Sequence, residues 1–361
     1  MKLKKKDINK KFKIIKSSIE FFNLNLKNLI VFTELGSNDY MYTPIIAALA
    51  KAKKVYAYVK DSSFGSKDDL SYQLKKINKF FNFTKKINVV TDFQKLKVSD
   101  IVLNSGLVRP IDKKKIDLMK STAVIPLMWE TWEFRKREID FLYAKKNKKL
   151  ILGTKEHFLY NNSGFLVTKL LFESGLGVYK DNILVLSSGR IGDSICKFFV
   201  NTNVTHKRIS FDKKNRKNKN LISLEYAIKN IKNFDAIIVA EHQFDYNLLS
   251  NDGLFQIKKI KFENPDIKII HICGKVNQKE IMKSKLEIYP KKIAPFGHMS
   301  VSAAYLDSHA VLELNTAGLK VGEIMSRHRL NHDIKTAYKK SIKDPLVDDF
   351  PGGYFEFIPK N

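Results

Sequence analysis

Residues Asn182–Asp212 read NILVLSSGRIGDSICKFFVNTNVTHKRISFD, and this stretch decides the fold. Ile183–Leu186 is a short apolar run of strand type. Ser187-Ser188-Gly189-Arg190-Ile191-Gly192 is a tight turn of small residues. Asp193–Asn201 then has helical spacing, with Ile191, Ile195, Phe198 and Phe199 on one side. Arg208–Phe211 reads as a second strand, ending at Asp212. Strand, glycine turn, helix, strand and acid, in that order, form the mononucleotide-binding unit of a dinucleotide fold.

Each part has its own physics. A glycine at position 189 leaves room for backbone to approach a pyrophosphate, and Gly192 lets the helix pack closely on the strand. Free N–H groups at the helix start favour an anion, which assigns Ser188, Gly189, Arg190, Ile191 and Gly192 to cofactor binding. Asp212 follows Gly192 by about 20 residues, a spacing suited to an acid holding a ribose hydroxyl. Such an acid repels a 2′-phosphate and favours NAD, although Lys213, Lys214 and Arg216 just beyond it keep NADP open. The motif is degenerate: Ser187 stands where G-x-G-x-x-G has its first glycine. An α/β unit that binds nothing is the blander reading.

Outward from this stretch, apolar runs alternate with helical patterns. Strands are expected at Leu29–Thr33, Val55–Val59, Ile87–Thr91, Asp100–Leu103, Ala123–Leu127 and Leu150–Leu152, then at Asp235–Ala240 and Ile267–Ile272. Helices are expected over Met1–Lys27, from about Thr43 to Ala52, and over Asp69–Phe81, Phe165–Leu176 and Leu224–Ile231. An apolar helical pattern within Ala303–Arg329 is broken near Gly318. The alternation predicts an α/β protein with two Rossmann-like, doubly wound parallel-sheet domains joined by hinge helices. Residues 1–160 with 305–361 would form a substrate domain, and residues 161–304 the dinucleotide domain. A chain of 361 residues with 44% hydrophobic content suits two cores.

At this point the order of parts resembles the S-adenosylhomocysteine hydrolases and the formate/glycerate dehydrogenase-like enzymes. Ile125-Pro126…Glu130-Thr131 is similar to the hydrolases' acid-threonine segment, and the hinge helix runs into Ile183–Gly192 as theirs does. The resemblance covers roughly residues 29–330 and implies a divergent, adenosylhomocysteinase-like relative. It also implies a homodimer and a nicotinamide cofactor either cycled or consumed. Two departures are plain. Lys155, Glu156 and His157 stand where the hydrolases carry a Lys and an Asp four apart, and Gly274-Lys275 stands where they have Gly-His.

Nearly every polar cluster falls just after a strand, where open α/β sheets place ligands. Asn38 and Asp39, Lys60 and Asp61, and Asn104 and Ser105 are the candidate substrate contacts, although such residues also simply fill turns. Arg109 could fork onto a substrate carboxylate. Glu130 and Glu133 flank Trp132, and a carboxylate beside tryptophan is a candidate acid or base; a helix start with acids in its first turn has the same pattern. His298, in the loop Phe296–Ser300, is the candidate proton carrier for a hydride transfer. His242 ends a strand on the expected nicotinamide side, whereas His271 sits inside an apolar strand and reads as buried structure.

The charge of +28, from 65 Lys and Arg against 37 Asp and Glu, raises nucleic acid as a partner. The lysines are spread along the chain, however, and Lys213–Lys219 is the only dense cluster after the N-terminus. No specific nucleic-acid partner is expected; a field that draws in a small anionic ligand fits better. Cys196 and Cys273 form no disulfide framework. The basic start lacks an apolar core and cleavage site, so neither signal peptide nor membrane partner is expected, and the cytoplasm is the default. No metal set is expected, since neither cysteine has a partner at ligand spacing and His328 and His332 lack H-E-x-x-H. The expectation is an NAD-dependent oxidoreductase closing two domains on a small polar substrate. The alternative is a non-enzymatic ligand-binding or scaffold protein with a degenerate site.

Overall fold

Short apolar runs become the strands of one mainly parallel sheet in the first unit. In the second they form a five-stranded and a small three-stranded parallel sheet, among the described residues. The computed structural model describes residues 5–81, 86–156, 162–212, 220–296 and 298–359. The first unit spans Met1–Phe158 with Ser308–Asn361, and the second Leu159–Asp307.

The first unit begins α1 (Lys5–Phe21), β1 (Ile30–Glu34), α2 (Thr43–Leu49), β2 (Lys54–Tyr58), α3 (Lys67–Phe81) and β3 (Ile87–Val90). It continues β4 (Ile101–Val102), α4 (Lys113–Leu118), β5 (Val124–Pro126), α5 (Phe141–Lys146) and β6 (Leu150–Thr154). The second unit carries α6 (Asn162–Glu173), β7 (Ile183–Leu186), α7 (Arg190–Asn201), β8 (His206–Ile209), α8 (Leu224–Lys229) and β9 (Ala236–Ala240). It then adds β10 (Asn247–Ser250), β11 (Phe255–Gln256), α9 (Ile257–Glu263), β12 (Lys268–Cys273), β13 (Lys275–Val276), α10 (Gln278–Lys283) and β14 (Glu287–Tyr289). The chain returns to the first unit with α11 (Ser308–Asn331), α12 (Ile334–Ser341) and β15 (Val347–Asp348).

Among the described residues the first unit has one seven-stranded sheet, ordered β15-β6-β5-β4-β1-β2-β3. The chain winds outward one way from β1 and the other way from β4, so the order reverses between them. The second unit's five-stranded sheet, β14-β12-β9-β7-β8, reverses in the same way between β7 and β9. A crevice opens outside the carboxyl ends of two strands wherever the winding reverses, and this is where such sheets bind ligands. Strand interiors are fully buried: all of Ile183–Leu186 and all of Ala236–Ala240 are inaccessible to solvent. That burial explains why both read as unbroken apolar runs instead of alternating ones. The α/β class with two Rossmann-like units holds.

Several expectations need correction. The strand expected at Arg208–Phe211 is β8 at His206–Ile209; Phe211 has left the ladder because its N–H donates to Ser188 Oγ at 2.7 Å. Strands β10, β11, β13 and β14 were not expected, being two to four residues long. Val347–Asp348 pairs antiparallel to β6, so the first sheet is not wholly parallel. Gly318 does not break α11, which runs unbroken for 24 residues.

The two glycines of that helix let it lie close to the sheet. A Cβ on Gly322 would sit 2.8 Å from Ile101 Cγ2 and 3.1 Å from Pro126 Cγ, while one on Gly318 would sit 2.7 Å from the Met128 thioether. The Ile101 branch is fixed and the Met128 end is flexible. Gly322→Ala is therefore expected to destabilise the protein by about 1–3 kcal/mol through overpacking. Gly318→Ala should stay within about 1 kcal/mol of wild type, because helix propensity offsets the shift of Met128. Urea denaturation of both variants checks this; equal losses would show that the two contacts are equally rigid.

Candidate functional site

In the second unit the turn after β7 is built on a side chain filling a missing one. Ser187 is fully buried and its Oγ donates to Ala240 O at 2.6 Å. A Cβ on Gly192 would lie 2.4 Å from that Oγ. The motif's third glycine thus makes room for the serine that replaces its first. Gly189 caps α7 with φ −109°, a conformation open to any residue, so space and not backbone freedom demands glycine there. The space is occupied: a Cβ would lie 2.3 Å from His242 Cε1 and 2.9 Å from Gln243 Cδ.

Two charged residues hold this turn, and neither stood among the expected site residues. Arg208, 4% exposed, donates from Nε to Ser187 O at 2.7 Å, from Nη1 to Asp193 Oδ1 at 2.6 Å and from Nη2 to Gly189 O at 3.3 Å. Glu241, fully buried at the end of β9, accepts from Ser188 N at 2.8 Å, Gln243 N at 2.8 Å and Phe244 N at 3.2 Å. Their sequence signals were modest: a charge inside a strand, and an acid directly after AIIVA.

Arg190 is exposed at the first turn of α7, and Ile191 is buried beneath it. Asp212 is half-buried after β8, with its N–H on Ser210 Oγ at 3.3 Å. His242 is half-buried, and burial holds its imidazole below the usual histidine range. His298 is half-buried in the loop after β14, its N–H on Pro295 O at 3.1 Å. Ser300 ties that loop to the carboxyl end of β12, donating from N to Ile272 O and meeting His271 Nδ1 at 2.7 Å. Burial pushes His271 down to about 4, as suits an internal residue. The basic run Lys213–Lys219 and His157 lie outside the described residues.

In the first unit the residues at the β1/β4 switch point converge. Glu34 ends β1 and is 6% exposed. Its Oε2 accepts from Leu107 N at 2.6 Å, and its carboxylate lies 3.3 Å from where a Cβ would stand on Gly36 or Gly106. Burial raises its pKa, against the pull of the Leu107 N–H and of Arg109. Arg109 donates from Nε to Asn104 Oδ1 at 3.1 Å, from Nη2 to Asn104 O at 2.9 Å and from Nη1 to Glu138 Oε1 at 3.0 Å. The guanidinium also lies over Trp129, 4.0 Å from the ring centre. Its planar fork is thus engaged inside the unit, leaving two of five N–H groups. Ser105 Oγ is buried with no hydrogen-bond partner among the described residues.

Asp39 pairs with Lys11, and Asn38 is exposed at φ +52°. Lys60 and Asp61 are exposed after β2, where Asp61 Oδ1 accepts from Lys67 N at 2.8 Å. Glu130 accepts from Trp132 Nε1 at 2.7 Å and from Glu156 N at 3.4 Å. Its neighbour Glu133 is the poised group: burial, against the opposing Arg135, pushes its carboxyl up to about 7. Burial and the nearby Glu133 and Glu130 also raise Glu156 well above the ordinary range. Among the described residues no group of three His, Cys, Asp or Glu side chains is arranged to hold a metal ion. No helix among them is long and apolar enough to cross a membrane.

No protein-family model matches the chain, and no curated protein matches it in sequence. Among solved structures, one component of dipicolinate synthase from Bacillus halodurans is similar over 84% of this chain and 99% of its own, with a TM-score of 0.52 and 10% identity. Dipicolinate synthase from Bacillus subtilis is similar over 87% and 99%, with a TM-score of 0.51 and 12% identity. NAD-dependent formate dehydrogenase from Staphylococcus aureus in complex with NAD overlaps 78% of this chain and 96% of its own, with a TM-score of 0.43 and 14% identity. At these identities, the likeness to the two dipicolinate synthase chains is one of fold.

Arg208→Met is expected to destabilise the protein by about 2–4 kcal/mol, because Ser187 O and Gly189 O lose a charged donor in a buried turn. Arg208→Lys should recover little of this, since an ammonium cannot span the three acceptors; chemical denaturation reads both variants. Glu133 sets a pH dependence. Its folded pKa, about 7, exceeds the ordinary 4.5, so ionising it costs more in the folded state. Its stability contribution is complete below pH 4.5 and is lost as pH rises through about 7. Glu133→Gln should remove that slope and gain on the order of 2–3 kcal/mol over wild type at pH 8 relative to pH 5. Parallel slopes for wild type and variant would show that Glu133 ionises freely.

Proposed function

We propose that the chain is a nicotinamide-dinucleotide-dependent oxidoreductase acting on a small polar substrate, with NAD preferred. One observation carries this reading: the β7/β9 switch point holds a glycine turn, a helix N-terminus and, one strand over, an acid. Arg190 and Ile191, in the first turn of α7, would offer backbone N–H groups to the pyrophosphate. Asp212 would take the adenine ribose hydroxyls and disfavour a 2′-phosphate. Ser187, the departure from the glycine pattern, turns inward onto Ala240 O and Gly192, so the missing first glycine does not obstruct the group. His242 and Gln243 fill the space beside Gly189 and would border it. When bound, the nicotinamide supplies or accepts the hydride.

Proton movement on the substrate oxygen falls to His298, in the loop bound to the end of β12. Within the first unit, the β1/β4 switch point is by itself a place for a small polar ligand. There Asn104 and Ser105 follow β4, and Glu34, which accepts from Leu107 N and whose pKa burial raises, ends β1. The alternative reading, a ligand-binding protein without turnover, is favoured by Arg109, whose fork is engaged by Asn104 and Glu138.

Thermal shift of the full chain with NAD, NADP and adenosine tests the cofactor. NAD should stabilise, adenosine should stabilise little, and Asp212→Ala should lose most of the NAD effect, roughly tenfold in affinity. No shift with either nicotinamide cofactor overturns the reading. If NAD binds, following reduced nicotinamide across a panel of 2-oxo and 2-hydroxy acids separates turnover from binding alone. His298→Ala should then lower kcat with NAD affinity unchanged.

A further inference from the structure

At the amino ends of the first sheet's strands, the loop leading into β1 meets the second half of α11. Asn23, Asn25, Lys27 and Asn28 from the loop, with Lys320, Glu323 and Arg327 from the helix, line a pocket of about 370 Å³. This is at the small end of the range for metabolite sites. Its walls are fixed from beneath. Leu24, Leu26 and Leu29 are buried, and Leu26 N donates to Ala50 O at 2.7 Å. Asn23 (φ +46°) and Asn28 (φ +70°) take the left-handed turns that asparagine tolerates.

The one carboxylate of this pocket is already engaged. Glu323, 5% exposed, accepts from Arg327 Nε at 2.8 Å through Oε1, and from Asn25 N at 2.9 Å and Lys320 Nζ at 3.0 Å through Oε2. Asn25 Oδ1 accepts from Lys27 N at 3.1 Å, and Asn23 O from Lys320 Nζ at 2.8 Å. Asn25 O receives Arg327 Nη2. The donors are not exhausted. The Lys27 ammonium, Arg327 Nη1 and the side-chain amides of Asn23 and Asn28 make no hydrogen bond among the described residues. Three basic residues and one carboxylate, itself held by three donors, thus line the hollow. A cation would find no open carboxylate here, and an apolar ligand would desolvate ammonium groups for nothing.

We propose that this pocket binds a phosphate-class oxyanion, with the Lys27 ammonium and the open edge of Arg327 as its main donors. The ligand is a free phosphate or diphosphate, or the phosphate end of a small metabolite; the site is independent of the dinucleotide turn. Calorimetric titration of the full chain with diphosphate and with orthophosphate tests it. Diphosphate should bind at low salt, weaken as salt rises, and remain bound in the presence of saturating NAD. Lys27→Ala should weaken it about fivefold and Lys27→Glu more, both with unchanged unfolding midpoints, since that ammonium makes no internal bond. Lys79→Ala, an exposed lysine on α3, should leave it unchanged. Three results would overturn the site: no diphosphate heat, displacement by NAD, or equal weakening by Lys27→Ala and Lys79→Ala. The last would mean diffuse surface charge. If orthophosphate binds as tightly as diphosphate, a single phosphate group is what the site reads; tighter diphosphate points to a diphosphate group, free or on a metabolite.

Discussion

A buried glutamate on backbone N–H groups fixes each switch point. Glu241 ends β9 and reaches across to Ser188 N, in the loop after β7, as well as to its own loop at Gln243 and Phe244. Glu34 ends β1 and reaches Leu107 N, in the loop after β4. Winding reversal leaves a gap between the loops of two adjacent strands, because neither loop crosses over the other. Loops beside such a gap carry amides with no strand partner, and leaving them buried and unmade would cost about 1–3 kcal/mol each. An acid at the last strand position spans the gap with charge-assisted bonds. In both units it is the residue directly at or after the strand's end, so the constraint follows from topology.

The glutamates differ in what they do next. Glu241 is held by three amides, one of them from the Ser188 loop, an arrangement that makes its carboxylate part of the turn's frame. Glu34 has fewer donors and sits between two glycine turns, with Arg109 near enough to oppose the burial that raises its pKa. The first keeps the glycine turn in register with β9, while the second holds the loop after β4 through its bond from Leu107 N. Arg208 completes the frame from the other side of β7. It binds the carbonyls that Glu241 cannot, so the turn is gripped by a cation at its C=O groups and an anion at its N–H groups.

The skeleton of this arrangement was legible in the sequence because parallel strands buried on both faces read as apolar runs. Ile183–Leu186 was read to the residue, and Asp235–Ala240 and Ile267–Ile272 to within one. The short strands β10, β11 and β13 were not legible, since two to four residues of pairing leave no periodicity. The antiparallel β15 was not either, because its place is set by Asp348, whose carboxylate holds Thr131 N and Oγ1 from far along the chain. Gly318 misled for a related reason: a helix-breaking residue by propensity, it is retained where α11 meets Met128. At the strand ends, the charges that hold the loops, Glu34, Glu241 and Arg208, were not singled out by their local sequence. Local chemistry singled out His242, Arg109 and Glu130. Whether a charge is open or engaged depends on partners distant in sequence, such as Glu138 for Arg109 and Ser187 for Arg208.

The same distinction gives the net charge of +28 a structural meaning. Acids are the scarcer charge here, and several are turned inward: Glu34, Glu138, Glu241, Glu323 and Asp348 are all less than 9% exposed. Each satisfies backbone N–H groups or a neighbouring cation, so its charge is neutralised locally. Fewer acids are then left to offset the exposed lysines, and the surface is consequently more basic than composition implies. Where an inward acid is saturated by its own cations and further donors still surround the hollow above it, as at Glu323, the excess is concentrated instead of diffuse. Anion recognition in this chain then follows from where its acids are buried more than from where its lysines are dense.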